Sequence, residues 1–390
     1  MSEAVVQINL PRLRFPEFSG PWEKRILSKD LIESKLGGNY SNSTIPTSWP
    51  LIKMGNLGRG IMNVARIDFI EEGEEIDPDD RIKYGDLFFN TRNTLDLVGK
   101  VSIWRGELPK AYFNSNLLRI TFACNEFMNL RFNSYSGVKS LKRIAAGTTS
   151  VAAIYTKDFL KVRIIVPTLP EQQKIADFLG AVDARVGLLR RRRGALRAYR
   201  KGMMRRLFLQ ELRFTKADGS PFPDWQEKRL GEVARKTSSS LAANMLPDFS
   251  GQYPIFGANG FLGNLRTYEN EEPYIAIVKD GAGVGRVFMC PEKSSVLGTL
   301  DQIHRRDAND IKFIYYFLAH FDFLKYVAGS TIPHIYFRDY GQAKLCVPHP
   351  EEQQKIADTL TAFDAKIDAV TAQMDAMLRF KKGLLQQMFV

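Results

Sequence analysis

One run of residues first suggests chemistry. "IAIVKDGAGVGRVF" places Gly281, Gly283 and Gly285 after a strand-like apolar segment. Glycines so spaced cradle a phosphate when a helix follows, because the helix N-terminal amides hold the anion. Here "RVFMCP" follows, β-branched and aromatic and then proline, so the spacing predicts a β-hairpin and no nucleotide site. No GxxxxGK[ST] loop is present, nor an Asp-Pro-Pro-Tyr or Asn-Pro-Pro-Tyr run that grips a flipped base. No Ser/His/Asp set or pair of carboxylates has meaningful spacing. Cys124, Cys290, Cys346, His304, His320, His334 and His349 lack metal-ligand spacing, so neither metal nor disulfide framework is expected. The residues argue against catalysis by this chain.

What remains is recognition chemistry on loops. Asn56, Arg59, Arg92, Asn93, Lys100, Thr148 and Thr149 stand around turns of a first block. Asn259, Lys279, Arg286, Arg305, Arg306, Ser330 and Thr331 do so in a second. Arg and Lys reach guanine edges or phosphate, and Asn reaches adenine. Taken singly, each is a solvated surface residue by default. A net charge of +12 over 390 residues favours a polyanionic partner, with nucleic acid the commonest.

Internal repetition shows what must position these residues. "EQQKIAD" occurs at 171–177 and again at 352–358, and residues 171–184 match 352–365 at 11 of 14 positions. "LRFPEFSGPWEKR" from Leu13 is echoed by "LRFTKADGSPFPDWQEKR" from Leu212. The interiors align poorly, with short echoes such as "VGKV" beside "VGRV" and "AGTTS" beside "AGSTI". Strands are expected in "RIKYGDLFFNTR", "GKVSIW", "EEPYIAIVKDG" and "GRVFMC", and a helix through "DIKFIYYFLAHFDFLKYV".

After each "EQQKIAD" the apolar residues follow 4-3 spacing, the seam of a coiled coil. They are Ile175, Leu179, Val182, Val186, Leu189 and Leu196 in the first copy, and Ile356, Leu360, Phe363, Ile367, Val370 and Met377 in the second. Arg193 and Arg200 interrupt the first seam, and Lys381 stands at the equivalent of Arg200. The two seams pack on each other antiparallel, with docking on the blocks or dimerisation as alternatives. The first helix region, 171–210, carries eleven Lys and Arg against three acids; 352–390 carries five against five. Such a run is a solvated face by default, and otherwise a contact for phosphates or an acidic partner.

The fold class read from this is α+β: two globular mixed α/β blocks separated by two long antiparallel helices, a pseudo-twofold tandem repeat. The divisions are 1–167 and 211–348 for the blocks, 168–210 and 349–390 for the helices. No membrane span or signal peptide is evident, and a cytoplasmic location is expected.

Block, helix, block, helix, with "VPTLPEQQKIADFLGAVDARV" and "VPHPEEQQKIADTLTAFDAKI" each followed by "KG", resembles the specificity subunit of type I restriction–modification systems. The resemblance covers essentially the whole chain. It implies that each block is a target recognition domain reading one half of a split, asymmetric sequence in double-stranded DNA, with the helices as a ruler. It implies docking of two methyltransferase subunits and of motor-nuclease subunits. S-adenosylmethionine, ATP and magnesium would act in those partners, and no cofactor in this chain. It further implies a ring-like arrangement, with the opening segment "QINLPRLRF" beside the end of the second helix.

Overall fold

The computed structural model describes residues 10–246, 249–329 and 331–389. The chain divides into two compact units, residues 1–190 with 373–390, and residues 191–372.

In the first unit, β1 (Leu31–Leu36), β2 (Leu87–Asn90), β3 (Val101–Ile103) and β4 (Leu117–Phe122) form an antiparallel sheet of order β1-β4-β2-β3. In the second, β5 (Ala234–Ser238), β6 (Tyr274–Val278), β7 (Val287–Cys290) and β8 (Leu300–Arg305) repeat it as β5-β8-β6-β7. The central strands β2 and β6 are buried throughout, so they read as apolar runs and not as alternations. One face packs on helices: Leu87 and Phe89 lie in a core with Phe127, and Ile275 and Ile277 in one with Phe313. The other faces, with Phe88 and Ala276, cover separate apolar clusters. The helix expected through residues 310–327 ends at His320. The Asp322 carboxylate then accepts from Leu324 N and caps a short 3-10 turn. Of the three cysteines, Cys124 and Cys290 are buried and Cys346 is exposed.

The long helices run Leu169–Phe208 and Pro350–Met388, about 60 Å each at 1.5 Å per residue. Most seam residues are buried; Leu196, Phe363 and Met377 are half-buried. In the first unit Ile175, Leu179 and Val182 share one core with Leu384 and Met388, and Asp183 pairs with Lys381. In the second, Met204 and Leu207 share one with Ile356 and Leu360, and Arg200 pairs with Asp364 at 2.7 Å. Within each unit the helix segments therefore run antiparallel. Asp183 corresponds to Asp364 and Lys381 to Arg200, so the charged seam positions are one ion pair built twice. The early seam residues also join the core of their own block. Packing on the block and packing between helices are thus both realised.

The repeated heptapeptide roots each helix. Glu171, 1% exposed, accepts from Arg14 Nε at 2.8 Å, Arg14 Nη2 at 2.7 Å and Trp22 Nε1 at 3.1 Å. Glu352, 0% exposed, accepts from Arg213 Nε at 3.2 Å, Arg213 Nη2 at 2.9 Å and Trp225 Nε1 at 3.1 Å. A buried carboxylate is tolerated only with such charge-assisted partners. Gln172 and Gln353 each donate to a proline carbonyl, of Pro167 and Pro348, at 3.0 Å. Lys174 and Lys355 lie over the rings of Phe15 and Phe222. The opening frames also pair with the strands before the helices, Glu23 opposite Val166 and Gln226 opposite Val347. Leu212 N donates to Arg206 O at 3.2 Å, and Leu13 N donates to Gln387 O at 3.0 Å, the equivalent carbonyl. The opening segment thus lies beside the end of the second helix from Leu13 onward; residues 7–9 of "QINLPRLRF" are outside the described residues.

Candidate DNA-reading loops

The loop from β2 to β3, residues 91–100, and the shorter loop from β6 to β7, residues 279–286, close on the same pair of backbone hydrogen bonds. Asn90 N donates to Lys100 O at 2.9 Å and Gly99 N to Asn90 O at 3.0 Å; Val278 N donates to Arg286 O at 2.9 Å and Gly285 N to Val278 O at 2.8 Å. Gly99 and Gly285 adopt φ of +70° and +79°, the left-handed region that favours glycine. The "VGKV" and "VGRV" echoes mark this turn. Gly281, Gly283 and Gly285 lie in the hairpin, followed by strand β7 and not by a helix.

A second hairpin docks on each loop. Ile154 N donates to Thr91 O at 2.9 Å, and Ile335 N to Lys279 O at 3.0 Å. Arg92 and Asn93 pair with Ala153 and Ala152, as Asp280 bridges to His334. Leu95 N donates to Thr149 O at 3.1 Å, which joins the "AGTTS" turn to the first loop.

In the first unit the structure brings together Arg59, Arg92, Asn93, Lys100, Thr148 and Thr149. Arg59 Nη2 donates to Asp96 O at 3.1 Å, and Lys142 pairs with Asp96 at 2.9 Å. Burial, then the nearby Arg59 charge, holds the Lys100 ammonium below the usual lysine range. Asn56 stands apart: it is buried, accepting from Lys53 N and donating to Asn63 O and Arg66 O.

In the second unit Lys279 and Arg286 share the loop, and Thr331 is exposed on the docked hairpin. Arg286 Nη1 donates to Ala258 O at 2.8 Å and to Asn259 Oδ1 at 3.2 Å. Ser330 lies outside the described residues. Arg305 and Arg306 lie at the far end of β8 from Leu300, roughly 16 Å along the strand. Arg305 lines a polar cleft there with Arg235, Gln302 and His304. His304 Nε2 sits 2.9 Å from Thr237 Oγ1, and burial pushes its pKa below the ordinary histidine value.

Sequence reasoning missed Asp301. It is 2% exposed, with Lys236 at 3.6 Å, Lys279 at 3.9 Å and the Tyr340 hydroxyl donating at 3.2 Å. Burial pushes its carboxyl above the usual range. Strand pairing sets Val278 opposite Leu300 and Asn90 opposite Leu117, so the first unit has Leu118 where the second has Asp301. The one available signal was an acid inside an otherwise buried strand. Among the described residues no group of three or more His, Cys, Asp and Glu could hold a metal, and no helix is long and apolar enough to cross a membrane.

The family model for the type I restriction modification DNA specificity domain matches residues 23–197 and again 223–377. The chain belongs to this family. A relative from Methanocaldococcus jannaschii, named for the MjaX type I restriction enzyme specificity subunit, is 24% identical over 97% of this chain and 95% of its own. The MjaVIII specificity subunit of the same organism is 25% identical over 47% of this chain and 46% of its own. The crystal structure of a type I S subunit from M. genitalium covers 98% of this chain and 99% of its own, with TM-score 0.68 and 16% identity. The protein is thus a type I specificity subunit that gives DNA sequence specificity, with two specificity domains in tandem, each extending into a long helix.

Proposed function

We propose that each pair of loops reads one half of a split, asymmetric DNA target. The observation that carries this is one loop closure built twice and furnished differently: Thr91, Arg92, Asn93 and Lys100 in the first unit, Lys279, Asp280, Gly281 and Arg286 in the second. Side chains that select bases differ when the bases differ. In this reading residues 1–167 and 211–348 are the reading domains, and the helices at 168–210 and 349–390 set the half-site gap. The chain is non-catalytic. It docks two methyltransferase subunits and motor-nuclease subunits, which bind S-adenosylmethionine, ATP and magnesium, in the cytoplasm. Of the eleven Lys and Arg at 171–210, Lys174 and Arg200 alone form ion pairs among the described residues, which leaves a basic surface for an acidic partner.

The test is adenine-methylation sequencing of cells with and without the gene. Loss of one bipartite motif is expected. Exchanging residues 16–166 for another such block should then change one half of that motif only. An unchanged map in cells that express an assembled complex would overturn the reading.

A further inference from the structure

The repeat separates two kinds of surface residue. Side chains that select bases should differ between halves reading different sequences, whereas those that hold the sugar-phosphate backbone need not. Beside the differing loops stands an outward pair that is the same in both. Tyr155 and Tyr336 follow directly after Ile154 and Ile335, whose amides hold the two loops. They are 53% and 43% exposed, and although the Tyr336 ring meets His334 edge-on at 4.9 Å, much of each side chain faces outward. Each has a cation two residues on: Lys157 Nζ lies 5.9 Å from the Tyr155 ring centre, and Arg338 Cζ lies 4.8 Å from that of Tyr336. Inward, the same short helical turns bury Phe159 and Tyr340 completely, which accounts for repetition on that side only.

We propose that Tyr155 with Lys157, and Tyr336 with Arg338, are matched clamps on DNA phosphates that seat each reading loop without reading sequence. This rests on the proposed half-site reading. A phenolic hydroxyl and a cation are both phosphate donors, and Lys and Arg exchange freely where charge alone is needed. Lys157 has no acidic partner among the described residues. Arg338 meets its neighbour Asp339 at 3.6 Å, while its side chain remains 78% exposed. A methyltransferase subunit docked on both halves would also favour sameness; adjacency to the loops and the retained positive charge favour DNA.

The test measures affinity of the complex with co-expressed methyltransferase subunits for a random-sequence duplex, as a function of salt. Lys157→Gln and Arg338→Gln should each weaken binding on every sequence and make the salt slope shallower by about one. Tyr155→Phe and Tyr336→Phe should give a smaller, equally uniform loss. The methylated motif should not change. An unaltered slope overturns the proposal. So does weakened subunit assembly at unaltered slope, which would assign the patch to protein docking, and so does a changed motif, which would assign it to base reading. The slope is read on random duplex, so it stands or falls separately from the methylation map that tests half-site reading.

Discussion

At the roots of the two long helices the halves of the molecule match nearly atom for atom; at the loops they share the closing hydrogen bonds and part in length and side chains. Glu171 and Glu352 each take an arginine and a tryptophan. Across the strand from the loops, however, Leu118 in one half is Asp301 in the other, with Lys236 and Lys279 gathered around it. Constraint in this fold therefore follows contact. Residues that tie helix, opening frame and sheet together satisfy buried partners and could change only in concert. Those on the loops answer to whatever lies outside.

The comparison breaks most sharply at the roots. Glu171→Ala and Glu352→Ala should each destabilise their unit by about 1–3 kcal/mol, since the tryptophan N–H loses its acceptor while the partly exposed arginine still reaches water. Hydrogen exchange at residues 125–133 and 311–320 would report each unit, and equal losses are expected. An unharmed unit would show that the equivalence is geometric only. At the loops, Gly285→Ala should cost more than Gly99→Ala. The added Cβ meets Phe323 Cβ at 2.7 Å in the second unit but Ile154 Cδ1 at 3.1 Å in the first. Overpacking of this kind costs about 1–3 kcal/mol, and paired thermal melts would rank the two. Asp183→Asn and Asp364→Asn remove partly exposed ion pairs and should cost about 1 kcal/mol or less each by denaturant titration, with Asp364→Asn the larger because the Tyr316 hydroxyl also donates to Asp364 at 2.8 Å.

The smallest difference is set by pH. Burial depresses the His304 pKa, so the unfolded chain binds a proton first as pH falls below about 6.5. Stability present above that pH is lost on acidification through the folded pKa. The first unit has Thr121 at the matching strand position. Between pH 7 and 5.5 His304 should cost the second unit stability that Thr121 does not cost the first, and His304→Gln should reduce the second unit's loss, as read by pH-dependent melts.

How much of this was legible in the sequence follows the same division. The seams showed because periodicity is local, and the roots because fourteen-residue repeats survive. "VGKV" beside "VGRV" showed because Gly99 and Gly285 need a left-handed backbone. The rest depended on strand pairing. Arg305 and Arg306 read as loop cations alongside Lys279, yet β8 carries them to its opposite end. Asn56 read as exposed, yet its amide closes a turn. Asp301 read as nothing, because its lysines are 22 and 65 residues away in the chain.

One cysteine sets the halves apart in a way that labelling chemistry can use. Burial raises the thiol pKa of Cys124, and that of Cys290 to about 12, whereas Cys346 faces outward from the strand before the second helix. A maleimide dye at neutral pH should therefore attach once, at Cys346. The protein carries its own single-site mark on the second half, so a fluorescence signal from that dye reports on one end of a duplicated chain without any engineered residue.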